Sequence, residues 1–388
     1  MHHDLSQDEI DFRDKCKTFS REVIQPNVIK FDRENRFPDL VHDEAEKRNL
    51  LNVCIPKELG GQGISFKAMA EGGYEMAQAC PAITFTMGFN HGAMRPIIYA
   101  GTEEQKDLFI RQPIEKNRGY TALALTEKDV SGSNLIAVKT RAEKTDRGWV
   151  ISGNKSMVGM GTEAQQFLVL AETWVNGRNV GLTFFNVPRT GAVDVSSNTD
   201  KLGFRAVPTP DVTFNNVEID EINRIGEIGE AEPILFHTLD FIRYGGGIII
   251  LGTIEGLLRE LIPWLESREV FGNEKLIGKS WIQTILGETY AKHQSLRLLL
   301  RRVADLLDKG ISATEESAVL KLLSSELAVS AASKVMPMYG WRGIDNEFPI
   351  QKRFRDAQQT TIFEGTSGIL QIGLCHSLLR KIRAEDQQ

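Results

Sequence analysis

Cysteine is scarce in this chain: Cys16, Cys54, Cys80 and Cys375 are its four, and no two stand close together. That spacing argues against a disulfide framework or a metal knuckle, so free core thiols are expected and no metal site is. Long apolar runs are also missing. The longest, Gly245 to Leu251, is short and rich in glycine, far below the length that crosses a bilayer, and no membrane partner is expected. Positive charge is in deficit, with 46 Lys and Arg against 52 Asp and Glu, and basic residues gather only in pairs such as Arg301-Arg302 and Lys352-Arg353. Nucleic acid is therefore not an expected partner. The N-terminus, Met1-His2-His3-Asp4, has neither the basic nor the apolar region of a signal peptide, which predicts a cytoplasmic location.

What remains is an ordinary globular composition, 41% hydrophobic and 25% charged, over 388 residues. That length exceeds what one core usually supports, so two or three domains are expected. Ser6-Gln7-Asp8-Glu9 is a capping box, and Phe12, Cys16, Phe19 and Val23 follow at helical spacing until Pro26 ends the run. Further helices are predicted from Leu40 to Leu51 and from Ala68 to Ala79, with a Pro- and Gly-bearing loop from Ile55 to Gly63 between them; Thr102-Glu103-Glu104-Gln105 repeats the cap signature. At Tyr120 the pattern changes to short runs rich in Val, Thr, Phe and Leu, over 135–141, 149–152, 167–171, 181–187, 193–197 and 212–217. Their spacing predicts a small β sandwich or barrel, and the absence of interleaved helical patterns disfavours a parallel Rossmann sheet. From Glu232 the helical period returns over 232–267, 279–308 and 313–336, with the wide apolar stripes of a bundle. The expected fold class is α+β multidomain: an all-helical domain over residues 1–119, a β domain over 120–230, and a C-terminal four-helix bundle over 231–388.

Near the end, Arg355 to Gly368 reads as a loop with a helix behind it. Thr366 or Ser367 is a good N-cap, and Leu370, Leu374, Leu378 and Ile382 recur on one helix face. Glu364 would sit just outside that helix start. The helix dipole favours its ionised form, and burial beside Ile362 and Phe363 favours the neutral one, a balance that suits a general base. The plainer alternative is a carboxylate that only complements the dipole.

Helical domain, β domain, bundle, then Phe363-Glu364-Gly365-Thr366 on a late loop: in that order the chain resembles the acyl-CoA dehydrogenase family over nearly its whole length. Leu125-Thr126-Glu127 with Gly132-Ser133-Asn134 resembles the family's flavin and substrate loop, and Leu202-Gly203-Phe204-Arg205 with Val212 to Val217 its closing strands. Asp240-Phe241-Ile242-Arg243 is similar to the Asp and Arg lining the substrate channel, and Arg268-Glu269-Val270-Phe271-Gly272 to the turn that reaches a neighbouring subunit's flavin. The resemblance implies FAD-dependent α,β-desaturation of an acyl-CoA thioester, with Glu364 taking the α proton and the flavin the β hydride. It further implies an electron-transferring flavoprotein as acceptor and a homo- or heterotetramer. The residues it assigns to the cofactor are Thr126, Ser133, Met157, Gly159, Arg268, Phe271, Gly340 and Thr366. To the substrate it assigns Ser133, Asp240, Arg243, Phe363 and Gly365, and Arg95 lies where the family's acyl tail runs.

The flavin region departs from the family pattern. The loop Thr126 to Asn134 is one residue longer and poorer in glycine, Met157-Val158-Gly159 replaces an aromatic and a hydroxyl, and Pro337-Met338-Tyr339-Gly340-Trp341 replaces a Gln-led motif at the adenosine half. Alternatives follow: a subunit of a heteromeric dehydrogenase with an incomplete flavin site and a mainly structural role, a dehydrogenase of carrier-protein-bound acyl groups, or an oxidase. Arg95 could meet a distal carboxylate or a polar ring substituent, or be a helix-surface charge. His91, His237 and His293 fall in helical patterns. Gly245-Gly246-Gly247 within a helix costs on the order of 1 kcal/mol per Gly relative to Ala, which a close neighbour, helix or pantetheine chain, would explain.

Overall fold

The computed structural model describes residues 5–116, 119–130, 132–134 and 137–386. The Ser6 hydroxyl accepts the Glu9 N–H while the Glu9 carboxylate accepts the Ser6 N–H, so α1 (Gln7–Phe19) starts where its capping box predicts. Its end differs from expectation. Pro26 stops nothing: the backbone passes through a π turn (Ser20–Ile24) and a 3-10 turn (Gln25–Asn27), where Pro falls in a first turn and removes no needed donor, and continues into α2 (Val28–Glu34). Then come α3 (Asp39–Lys47), α4 (Phe66–Ala79), α5 (Pro81–Ala93), α6 (Arg95–Ala100) and the single turns α7 (Glu103–Lys106) and α8 (Gln112–Glu115). Thr102 and Gln105 close the second predicted capping box at the start of α7.

Eight strands follow: β1 (Tyr120–Ala124), β2 (Arg141–Lys144), β3 (Gly148–Lys155), β4 (Ala164–Val175), β5 (Arg178–Pro188), β6 (Val193–Val195), β7 (Val212–Asp220) and β8 (Arg224–Ile225). They make one sheet in the order β6-β7-β3-β2-β4-β5-β8, with β1 alongside β4. Its inner face closes over Trp149, Phe167, Phe185 and Phe214. β4 is buried on both faces: Phe167 and Val169 enter that core, whereas Leu168 and Leu170, alternating with them, pack with Ile97, Ile110 and Leu235 of the helical parts. One expected strand is displaced. The 135–141 run contributes only Arg141, because the N–H groups of Lys139 and Thr140 turn to the Glu127 carboxylate instead of to a neighbouring strand. Leu135 and Ile136 lie outside the described residues.

The C-terminal part is α9 (Ala231–Ser267), a short hairpin of β9 (Glu269–Val270) and β10 (Glu274–Lys275), then α10 (Ser280–Asp308), α11 (Thr314–Val335), α12 (Ile350–Thr360) and α13 (Ser367–Glu385). α9 is its axis. Gly73 stands against Ile248 and Gly252 against Ala77, so the backbones of α4 and α9 approach closely, and Ala70 and Tyr74 of α4 belong to the same core as Ile248, Leu251 and Leu296 of the bundle. The two helical parts thus share a core and the β domain is inserted between them in sequence. Asp356 ties it down, accepting the Phe204 N–H at 2.7 Å and the Lys352 ammonium at 2.5 Å. α13 departs from its predicted apolar face: Leu370 is buried on Ala318 and Leu322 of α11, but Leu378 and Ile382 are exposed, because farther along α13 meets α11 through polar side chains instead, Ser377 and Lys381 on Glu315. No helix among the described residues is long and apolar enough to cross a membrane.

Candidate active site

Arg355 to Thr360, expected in a loop, are the end of α12, which shortens the loop to Thr361–Thr366. The Thr366 hydroxyl caps α13 by accepting the Ile369 N–H. Between the two helices the chain must reverse. It does so through two left-handed residues, Glu364 at φ 58° and Gly365 at φ 99°. A left-handed glutamate is uncommon, and it turns the side chain back toward α9. There Oε2 is sealed from solvent and has no hydrogen-bond partner among the described residues. It rests on bare backbone: a Cβ at position 246 would overlap Oε2. The glycine run on α9 is thereby explained residue by residue. Gly246 makes room for the carboxylate, Gly247 for Leu320 of α11, and Gly245, with nothing within 4 Å, faces the cavity.

Two cations, one buried and one half-buried, hold the loop by its carbonyls. Lys321 of α11, with no exposed surface, donates to the Gly365 carbonyl at 2.6 Å, and Arg243 Nε to the Glu364 carbonyl at 3.4 Å. Burial raises the Glu364 pKa far above its ordinary 4.5, while Lys321 and Arg243 pull it partly back. Burial likewise lowers Lys321, with the Glu364 charge opposing it. Each carbonyl bond fixes the loop, and the two positive charges keep the ionised carboxylate within reach. Asp240, one turn before Arg243, accepts the Ser312 hydroxyl at 3.0 Å and the Thr314 hydroxyl at 2.7 Å, both at Oδ2; its Oδ1 is buried and unpartnered.

Glu364 faces a cavity of about 1250 Å³ between the helical and β parts. Of the residues expected at the site, Thr126, Ser133, Met157, Gly159, Arg243, Phe363, Gly365 and Thr366 line it. Asp240 and Arg95 stand beside it without lining it. Arg268, Phe271 and Gly340 lie elsewhere: all three are exposed, Phe271 at 97%. Gly159, expected to contact the cofactor, also packs against Phe89 of α5, where a Cβ would come within 2.5 Å of the ring. Glu127, in the same loop as Thr126, anchors it through a buried ion pair with Lys155 at 2.9 Å and a hydrogen bond from the Thr140 hydroxyl at 2.7 Å. His237 stacks on Tyr99 with ring centroids 4.1 Å apart, and His293 bonds the Leu251 carbonyl at 3.1 Å. Arg95 is not a surface charge: it is 9% exposed.

Lys321 and Gly246 had no sequence signal pointing at Glu364. The one available cue for Lys321 was a lone lysine inside the apolar and small-residue run Ser317 to Ser325, which a helix can accommodate there only by burying it.

An unpartnered carboxylate oxygen on a cavity between the helical and β parts belongs to the class of arrangement able to take a proton from a large bound molecule. Comparison with known proteins agrees with that class. Family models for the acyl-CoA dehydrogenase N-terminal, middle and C-terminal domains match residues 6–116, 122–217 and 233–377. The short-chain specific acyl-CoA dehydrogenase of Mus musculus mitochondria is 31% identical over 96% of this chain and 90% of its own. Among solved structures, butyryl-CoA dehydrogenase from Megasphaera elsdenii superposes with a TM-score of 0.90 at 25% identity, covering 98% of this chain and 100% of that one. A chain from work on the electron transferring flavoprotein of Acidaminococcus fermentans gives 0.92 at 25%, with the same coverage. This chain belongs to the acyl-CoA dehydrogenase family. It is an oxidoreductase that acts on acyl-CoA, in a family of flavoproteins.

Proposed function

We propose that the protein desaturates an acyl-CoA thioester between its α and β carbons, with Glu364 as the base that removes the α proton. The observation that carries this reading is the Glu364 carboxylate itself, buried against Gly246 at the cavity wall with Oε2 unpartnered. A buried polar atom without a partner is costly and is retained where a ligand or a reaction uses it. Burial raises its proton affinity, which matches it to a weakly acidic carbon. The Glu364 N–H makes no hydrogen bond among the described residues, leaving a donor free for the thioester oxygen as negative charge develops there. Arg243 and Lys321 hold the two peptide groups that follow it, through the Glu364 and Gly365 carbonyls.

The residues fit FAD as the cofactor. The cavity exceeds the usual size of a single small-molecule pocket, the Ser156 hydroxyl beside it is buried and unpartnered, and Met157, left-handed at φ 54°, lines it from the β domain. Thr126, Ser133, Met157 and Thr366 would hold FAD, which when bound supplies the acceptor for the two electrons. Arg268, Phe271 and Gly340, exposed on the outside of the bundle, would complete the site of a second copy in a tetramer, and an electron-transferring flavoprotein would reoxidise it. The test is the visible spectrum of the protein purified alone, recorded before and after anaerobic addition of acyl-CoA thioesters. Bound flavin that bleaches with a thioester is the expected result. Protein that stays colourless with added FAD overturns the reading and points to a second, unlike subunit.

A further inference from the structure

Beside the part of the cavity farther along α9 from Glu364 stand two buried polar side chains that nothing in the fold satisfies. His91 of α5 is 3% exposed and lines the cavity, and neither ring nitrogen has a partner among the described residues. Arg95, one turn on, is 9% exposed; its Nε is sealed and unpartnered, and it forms no ion pair with a described carboxylate. Its guanidinium lies 4.0 Å from the Phe241 ring centroid and 5.1 Å from that of Phe66. Aromatic faces offset part of the burial of the charge. They leave the in-plane N–H donors without acceptors. The nearest carboxylate on that turn of α9, Asp240, is engaged by Ser312 and Thr314 instead.

We propose that His91 and Arg95 form a subsite for the anionic end of the acyl group, so that the preferred substrate is a CoA thioester whose tail terminates in a carboxylate. The inference rests on the desaturase reading above and names its substrate class. A buried cation whose Nε is sealed and unpartnered, next to a neutral imidazole that can donate one hydrogen bond, recognises an anionic acceptor and penalises a methyl group, which would leave that Nε and both His91 nitrogens buried and unpaired. Burial and the Arg95 charge keep His91 neutral, down at about 3. Glu364 sits over Gly246 and Arg95 over Phe241, an offset of about 7.5 Å along α9 at the helical rise. Tails of intermediate length therefore span the two.

The experiment uses the flavin-bearing protein and chain-matched pairs: glutaryl- against pentanoyl-CoA, adipyl- against hexanoyl-CoA, and suberyl- against octanoyl-CoA. Binding is measured by titration calorimetry and turnover by anaerobic bleaching. In at least one pair the carboxylate-ended ester should bind and react at least 30-fold better, a ratio that collapses in Arg95→Met and partly returns in Arg95→Lys. Should Arg95→Met not fold, His91→Leu reads the same ratio. Equal or better use of the methyl-ended member in every pair overturns the subsite, as does a preference that survives both variants or no binding by any ester. Selective binding without any bleaching would instead sink the desaturase reading and leave the subsite standing.

Discussion

Replacing Gly246 with alanine should separate the stability of α9 from the chemistry of Glu364. In a helix interior alanine is favoured over glycine by about 1 kcal/mol, so on propensity alone the variant is more stable. The added Cβ, however, falls well inside 3.0 Å of Glu364 Oε2, and the carboxylate is the only group it meets that closely. To regain van der Waals separation Oε2 has to retreat by about 1 Å, which swings the base out of its seat while leaving the helix intact. A misplacement of that size costs roughly 100-fold in rate. Gly287 in α10, whose Cβ would meet nothing within 4 Å, supplies the comparison: Gly287→Ala gains the helix term without touching the site. Single-turnover flavin bleaching gives the rate and a denaturant melt gives the stability. A Gly246→Ala protein with undiminished bleaching would show that the seat of Glu364 on Gly246 is irrelevant to catalysis, and the assignment of the base would fail with it.

Glu364→Gln should lower the bleaching rate by roughly 100- to 10,000-fold, and the wild-type rate should rise with pH along a limb well above the ordinary carboxylate range, since burial raises Glu364 and the base works unprotonated; a limb near pH 4.5 would refute this. Lys321→Met removes a cation that favours the ionised carboxylate, so the same limb should move to higher pH; a lysine that merely supported packing would leave it where it was. Glu127→Ala strands the Lys155 ammonium, which has no exposed side-chain surface, and should cost about 3–5 kcal/mol in a urea melt, against far less for Glu127→Gln combined with Lys155→Met. His42 is held neutral at about 3 by burial, against an ordinary 6.5, and its two nitrogens bond Tyr120 and Thr86. The unfolded chain takes up a proton there below pH 6.5 and the folded one does not, so this stability is whole above 6.5 and drains as pH falls toward 3. Between pH 7 and 5 the loss is about 2 kcal/mol per such histidine, and His42→Gln should show a correspondingly shallower slope in melts across that range.

The element types and their order were legible because they rest on local rules: the capping boxes at Ser6 and Thr102, the short runs rich in Val, Thr, Phe and Leu in the β region, the apolar stripes of α9 and α10. So was Glu364, because the family resemblance points at the loop that carries it. What the sequence withheld was contact. Gly246 and Gly247 read alike in a row of three glycines, yet one accommodates a carboxylate from a loop more than a hundred positions away and the other a leucine of α11. Lys321 carries no periodic mark distinguishing a buried cation from a solvated one. Pro26 misled because a proline ends a helix only when its missing donor is needed, and its place at the start of a 3-10 turn removes that need. The 135–141 run misled because its backbone donors found a side-chain acceptor, Glu127, in place of a strand.

The shared core of α4 and α9 has a consequence for biosynthesis. α4 ends at Ala79 and α9 at Ser267, so at roughly 5–20 residues per second the ribosome needs roughly 10–40 s to deliver the second half of that core after the first has emerged. During that interval Ala70 and Tyr74 have no bundle to enter. Ala68, Met76 and Ala77 of the same helix already have Phe12, Cys16 and Phe19 to pack with, and the β insertion closes over Trp149 and Phe185, so each of these cores can form while the shared one waits.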